Sequence, residues 1–433
     1  MPKLITTRTR IEDLGTPRII IIGGGFGGIE LVKNLRGLDA QVVLFDKYNH
    51  HTFQPLLYQV ATSALETNSI VFPFRKRFSS YSNFYFRLGE VHQIKPQENC
   101  IETSIGSIRY DYLVVATGAT TNYYGLADVE KNAMGVKTIT DAIKLRNKII
   151  RNMEMALLSD DKEVMNSLMD YVIVGGGATG VELAGALAEL KRHVFPKDYK
   201  ELDLTQMNIH LVESGSDLLG AMSSESSKKA LQFLESMGVQ VHLNSALKSY
   251  DGYEVILNTG KRLITRSVIW AAGVKGSVIQ GLSSEIIVRG NRIKVDVFNR
   301  VKGYENIFAI GDVASMEGDE NYPNGHPMMA PPAMQQGKLL AENLQRIIKK
   351  KPLKPFHYFN KGSMATVGRN KAVVDIGKFK TQGFFAWVVW MFVHLLSIVG
   401  FKNKIFIFIS WVWSYFSYDR SNRLIISRPK NEV

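Results

Sequence analysis

Two sets of glycines share the spacing G-x-G-x-x-G: Gly23, Gly25 and Gly28, then Gly175, Gly177 and Gly180. Each set follows an apolar run of strand length, RIIII or YVIV, and opens a stretch of helical character, IELVKNL or VELAGALAEL. In that setting the spacing carries a definite chemistry. The first glycine permits a tight turn, the second lets backbone approach a pyrophosphate, and the third lets helix and strand pack closely. The helix N-terminus then offers free N–H groups and a positive dipole end to the phosphates. A glycine turn alone is common and often structural, so the strand before it and the helix after it give it weight. An acidic residue closes each following strand. Asp46 ends QVVLFD, 18 residues beyond Gly28, and Glu213 ends NIHLVE, 33 beyond Gly180. A carboxylate so placed can accept both hydroxyls of a ribose; a solvated turn carboxylate is the alternative for either taken alone. The longer second interval reads as an insertion, KRHVFPKDYKELDLTQM, after the helix.

The elements that must position these residues recur in the same order. YDYLVVATGA supplies a closing strand ending in Thr117 and Gly118, and SVIWAAGV supplies another ending near Gly273. Such a duplication argues for two similar α/β units. A further strand, IFAIGD, ends in Gly311 and Asp312, where a carboxylate can accept a hydrogen bond from the ribityl chain of a flavin. This order of motifs, over about residues 17–345, resembles the two-dinucleotide-binding flavoprotein superfamily. The resemblance implies FAD in the first unit, held by Gly23, Gly25, Gly28, Asp46, Thr117, Gly118, Gly311 and Asp312. It implies a nicotinamide dinucleotide in a second unit inserted within the first, held by Gly175, Gly177, Gly180, Glu213 and Gly273. Because Glu213 would repel a 2′-phosphate, NADH is expected over NADPH.

The 433 residues suffice for two or three domains, and 45% hydrophobic with 21% charged residues fits a globular chain. The single cysteine, Cys100, excludes an internal disulfide, a CxxC redox pair and a four-thiolate iron site. Disulfide reduction, thiol peroxidation and sulfide oxidation are thereby set aside, leaving an acceptor that takes electrons directly from flavin. Cys100 itself reads as a small residue on a strand. His50 and His51 are adjacent, so on an extended chain they point apart, and no second ligand cluster accompanies them. A polar contact near the flavin or acceptor suits them better than a metal.

Four stretches narrow the resemblance: NHHTFQPLLYQVAT, GVELAGALAEL, APPAMQQGKLLAEN and KGSMATVGRNKAV. With them the chain, from about residue 17 to 428, resembles the type II NADH:quinone oxidoreductases, single-subunit enzymes that oxidise NADH without pumping ions. The resemblance implies a hydride passing from NADH to FAD and electrons leaving to a membrane quinone. Glu182 falls on the family's acidic residue near the nicotinamide and the quinone route; a first-turn helix carboxylate favoured by the dipole is the alternative. Gln335 and Gln336 fall on glutamines beneath the isoalloxazine, whose amides can bond flavin or quinone carbonyls. Where some members carry an earlier glutamine of that motif, this chain has Pro331. Tyr58 and Gln59 are softer pocket candidates, each as readily packing residues.

Net charge is +13. No zinc-finger spacing or aromatic RNA-binding signature accompanies it, so nucleic acid is not expected. Much of the charge flanks an apolar C-terminal region, at Arg369, Lys371, Lys378, Lys380, Lys402, Lys404, Arg420, Arg423 and Arg428. Phe384–Phe401 is free of formal charge but at the lower edge of spanning length, and the following IFIFISWVWSYFSY is too short. Ser410, Ser414 and Ser417 give the second piece a polar stripe, and Trp387, Trp390, Trp411 and Trp413 suit a membrane interface. Basic flanks on both sides predict in-plane anchoring on anionic lipid, with a single span or a homodimer interface as alternatives. The polar, charged stretch Met1–Arg18 does not read as a signal peptide. The expected place is thus the cytoplasmic face of the inner membrane, peripheral or monotopic.

The sequence thus predicts an α/β fold with two Rossmann-like dinucleotide-binding domains, the second inserted in the first, plus a C-terminal membrane-anchoring helical region. The boundaries are 15–135 and 281–350 for the two parts of the FAD-binding domain, 136–280 for the NADH-binding domain and 351–433 for the anchoring region. Two rival readings remain: a flavin NADH reductase serving a ferredoxin-like protein or oxygen, and a non-catalytic redox-sensing flavoprotein.

Overall fold

A computed structural model describes residues 9–417, 420 and 422–425. The first eight residues of the N-terminal stretch and Arg428 of the basic flank lie outside the described residues. The chain forms two compact units, each drawn from three stretches. One contains residues 1–51, 72–120 and 274–360; the other contains 52–71, 121–273 and 361–433.

In the first unit, five strands form a parallel sheet in the order Ile307–Ala309, Tyr112–Val115, Arg18–Ile22, Gln41–Asp46, Phe84–Leu88. Runs such as RIIII and YLVV are apolar at every position because layers cover both faces of a parallel sheet. Ile19, Ile21, Val42 and Leu44 pack on one side with Leu31, Phe74 and Leu340. Ile20, Val43 and Phe45 pack on the other with Ile101, Ile293 and Met316. The helix Phe26–Asn34 crosses the helix Ala330–Ile348 at two glycines: a side chain on Gly337 would strike the carbonyl of Gly27. Pro331 and Pro332 sit in the first turn of that second helix, where a missing N–H costs nothing.

The second unit repeats the plan. Its parallel sheet runs Met134–Gly135, Val268–Trp270, Tyr171–Val174, Ile209–Val212, Gln240–His242. The likeness extends further than the motifs indicated. Each unit places a three-stranded antiparallel sheet just before its closing strand. In the first it is Val91–Lys95, Cys100–Thr103 and Gly106–Arg109; in the second it is Leu247–Tyr250, Glu254–Leu257 and Arg262–Ile264. Cys100 is buried at the start of its strand.

The C-terminal stretch of the second unit forms an antiparallel sheet, Ser363–Gly368, Lys371–Ile376 and Phe379–Gln382, followed by two helices. The helix Ala178–Glu189 lies on the strand Ser363–Gly368 so closely that a side chain on Gly185 would meet the Val367 carbonyl. The uncharged run from Phe384 is not one helix. It breaks after Ser397, where Ile398 is extended and Gly400 takes φ +90°, giving helices Phe384–Ser397 and Phe401–Ser417. Among the described residues no helix is long and apolar enough to cross a membrane.

Candidate functional site

Both glycine turns fold alike. Gly23 and Gly175 adopt φ +107° and +112°, which only glycine takes easily. A side chain on Gly23 would strike the Ala116 carbonyl of the closing strand, and one on Gly28 would strike the Gly23 carbonyl. The second turn is closed in the same way, by Ala271 and Ala272 against Gly175 and by Gly175 against Gly180. At the middle glycines, Gly25 and Gly177, an added Cβ would meet nothing, so the turn is open there.

The acidic strand ends complete the turns. The Asp46 carboxylate accepts from the Gly24 N–H at 2.7 Å and from the Tyr48 N–H at 2.8 Å. The Glu213 carboxylate accepts from the Gly176 N–H at 2.5 Å and from the Gly215 N–H at 2.6 Å. Each acid therefore ties the glycine turn to the strand beside it. Burial raises the Asp46 pKa above the ordinary carboxylate value, against the pull of the two N–H groups. Carboxylate oxygens carry about four acceptor directions, so these bonds leave room for ribose hydroxyls.

The helices behind the turns, Phe26–Asn34 and Ala178–Glu189, begin at Gly25 and Gly177 with no side-chain cap and no acid in the first turn. By contrast, Ile139–Leu157, Lys162–Met169 and Ser224–Ser236 are capped by Thr138, Asp161 and Ser223. An uncapped N-terminus at an open glycine fits a pyrophosphate, and this is the fit expected of FAD and of a nicotinamide dinucleotide.

Around the first turn, the Thr117 hydroxyl donates to the Ser277 carbonyl at 2.6 Å, and Gly118 lies in the left-handed region at φ +67°. Gly311, at φ +74°, begins the short turn carrying Asp312. Its N–H donates to Gln336 Oε1 at 2.7 Å, and Gln336 is buried. Gln335 exchanges two bonds with the backbone of Phe359, at 2.9 and 3.0 Å. The two glutamines thus hold backbone: Gln336 braces the Asp312 turn and Gln335 tethers the irregular segment after the helix. His51, expected from sequence to make a polar contact near the flavin or acceptor, lies against the first glycine turn. Its Nδ1 lies 3.1 Å from the Gly24 carbonyl, its ring meets Phe26 edge-on, and burial lowers its pKa to about 4, so it stays neutral. His50 instead contacts Asn49. In the second unit, Gly273 takes φ +137°, with the Tyr124 phenol against it.

A second feature of the second unit is a pocket that no single motif marks. Its lining includes Tyr58, Gln59, Glu182, Ala186, Glu189, Thr366, Trp387, Trp390, Met391, Trp411, Tyr415 and Arg420. Glu182 lies past the first turn of its helix and is buried, which removes the dipole-favoured surface reading. Burial raises its pKa to about 8, while the Thr366 N–H at 3.4 Å and the Trp390 indole pull it down. Trp390 is buried and stacks on His394 with centroids 4.1 Å apart. The Trp411 Nε1–H donates to Gln59 Oε1 at 2.9 Å. Trp390 is therefore not at a membrane interface, correcting its assignment, and half-buried Trp411 turns its indole N–H to the pocket, whereas Trp413 is 64% exposed. Arg420 is likewise no surface cation. Its guanidinium is buried, donates to the carbonyls of Thr62 and Ala186, and pairs with Glu189 at 2.6 Å. Lone charges cannot be buried at tolerable cost, and this pairing is what permits it.

A doubled dinucleotide cradle with one acid per cradle defines a pyridine-nucleotide-dependent oxidoreductase fold. Residues 17–337 match the pyridine nucleotide-disulphide oxidoreductase family, and 360–418 match the NDH2 C-terminal domain. The chain belongs to the type II NADH:quinone oxidoreductase family. It is 34% identical to type II NADH:quinone oxidoreductase Ndh of Mycobacterium tuberculosis, over 94% of this chain and 90% of that one. It shares its fold with NDH2 from Plasmodium falciparum, solved in complex with NADH. The TM-score is 0.87 at 22% identity, covering 95% of this chain and all of that one. A sulfide:quinone oxidoreductase from Aquifex aeolicus is a more distant match, with TM-score 0.70 at 19% identity over 95% of this chain and 93% of that one.

Two outcomes follow. Removing the Glu213 charge as Glu213→Gln narrows the NADH-over-NADPH preference in kcat/KM by roughly tenfold, about 1.4 kcal/mol of repulsion. An unchanged ratio would place the ribose elsewhere. The raised Glu182 pKa is also a stability statement. The folded state holds this proton more tightly than the unfolded chain, so the contribution is complete below the ordinary carboxylate pKa and is lost as pH rises through about 8. Thermal unfolding of wild type against Glu182→Gln should therefore show wild type losing ground between pH 5 and 8; parallel curves would contradict it.

Proposed function

We propose that the protein oxidises NADH through FAD and reduces a membrane quinone, without ion pumping, at the cytoplasmic face of the inner membrane. The observation that carries this is the pair of uncapped glycine cradles, each pinned to its own carboxylate. Bound in the first cradle, FAD would supply what no side chain here has, acceptance of a hydride from NADH and its release as two electrons to a quinone. The chain's own work is binding, orientation and control of protons. Gly23, Gly25 and Gly28 with the helix N-terminus receive the pyrophosphate, and Asp46 receives ribose. Thr117, Gly118, Gly311 and Asp312 form the rest of the FAD wall, with Gln336 fixing the turn that carries Asp312. Gly175, Gly177, Gly180, Glu213 and Gly273 hold NADH.

The pocket around Glu182 suits a quinone head, whose flat ring is apolar and whose two carbonyl oxygens accept hydrogen bonds. Trp387, Trp390, Met391 and Trp411 give the walls, and Glu182, neutral at pH 7, holds a proton at its carboxyl. The same two C-terminal helices turn an apolar face outward: Phe385 is 75% and Phe416 80% exposed, with Phe392, Phe408 and Ile409 beside them in sequence. Patches of this kind mark interaction surfaces. Helices of 14 and 17 residues with such a face support in-plane anchoring on anionic lipid, with Lys402 and Lys404 at the head of the second.

The test is flotation with quinone-loaded phosphatidylglycerol vesicles. Wild type co-floats and reduces the quinone with NADH. Trp413→Glu with Phe416→Glu lowers co-flotation at least about tenfold, since two buried aromatic side chains contribute several kcal/mol, and keeps NADH:ferricyanide activity. Ferricyanide reduction with no quinone reduction in any vesicle would favour another acceptor.

A further inference from the structure

The polar groups at one side of the Glu182 pocket form a chain with a fixed direction. Trp411 Nε1–H can only donate, and it donates to Gln59 Oε1 at 2.9 Å. That sets the amide, whose Nε2 then donates to the Tyr58 phenol oxygen at 2.8 Å. Tyr58 is therefore an acceptor in this chain, and its own O–H must look elsewhere. Among the described residues no acceptor takes that hydrogen, although Tyr58 is buried and lines the pocket. A buried hydroxyl left without an acceptor costs free energy, and a ligand oxygen can relieve that cost.

We propose that Tyr58 donates a hydrogen bond to a carbonyl oxygen of the quinone, and that Trp411, acting through Gln59, is the positioning residue that keeps this donor turned into the pocket. This rests on reading the pocket as the quinone site. The bond strengthens as charge builds on the quinone oxygen during reduction, so it acts on the reaction more than on binding. Burial holds the phenol pKa well above its ordinary value, so the donor keeps its proton. The polarity is also set from outside: Trp411 belongs to the helix Phe401–Ser417, while Tyr58 and Gln59 lie on the short helix Leu57–Ala61. Without the indole N–H, Gln59 is free to turn its oxygen to Tyr58 and draw the phenol hydrogen out of the pocket.

The test compares FAD-loaded full-length variants by the ratio of short-tailed benzoquinone reduction to ferricyanide reduction, in kcat/KM. Tyr58→Phe lowers the ratio roughly tenfold, the loss of about one hydrogen bond to a charged acceptor. Trp411→Phe, which frees the Gln59 amide to turn, and the near-isosteric Gln59→Glu, whose carboxylate can only accept, lower it to a similar level. The double variant Tyr58→Phe/Trp411→Phe is no worse than Tyr58→Phe alone. Ala186→Leu, which narrows the pocket, is the control, with flavin absorbance reporting the fold. If Ala186→Leu lowers the ratio and Tyr58→Phe does not, the Tyr58 role is wrong and the pocket reading stands. If neither does, both are wrong. Losses that multiply in the double variant would mean that Trp411 acts independently, which also overturns the proposal.

Discussion

A glycine turn tied to the carboxylate that ends the next strand is the constraint on which both units are built. In each, the turn closes only because a Cβ is absent at two fixed points: at Gly23 and Gly28 in one, at Gly175 and Gly180 in the other. The carboxylate then takes the N–H of the glycine between, and a second N–H two residues past itself. This leaves the helix N-terminus uncapped and facing open space. Uncapped N-termini are a cost in an empty protein and an advantage in a loaded one.

In the second unit, one helix then serves two purposes. Ala178–Glu189 begins at the cradle, while Glu182, Ala186 and Glu189 further along it line the pocket. Gly185 lets the strand Ser363–Gly368 approach the helix, which brings Thr366 to Glu182. The C-terminal helices add the aromatic wall, and Arg420 closes the structure behind them by its bond to Glu189. The outward face of those helices is apolar for a different reason from the inward face, and one pair of helices carries both.

Much of the cradles was legible in sequence because their signal is local: a strand, three glycines, a helix and an acid, within some forty residues. The pocket was legible only in part: Tyr58, Gln59 and Glu182 were candidates, but its full lining is spread from Tyr58 to Arg420 and no spacing records that these meet. Composition misled at two points. A tryptophan or arginine near an apolar helix reads as an interface residue, yet Trp390 and Arg420 are consumed inside and Trp411 turns its indole N–H to the pocket. Gln335 and Gln336 were expected to bond flavin or quinone carbonyls, and the fold shows their amides holding the backbone at Phe359 and Gly311. The paired antiparallel sheets before each closing strand went unseen because their strands are three to five residues long. A glycine inside the helix at 185 did offer a hint of close backbone approach.

The central claim is that the first cradle holds a flavin which the second can reduce. The visible spectrum of the purified, FAD-reconstituted protein under anaerobic conditions tests it most directly. The account predicts a flavin spectrum that bleaches on adding NADH and returns on adding a quinone. A protein folded by circular dichroism that stays colourless after reconstitution, or whose bound flavin ignores NADH, would contradict it.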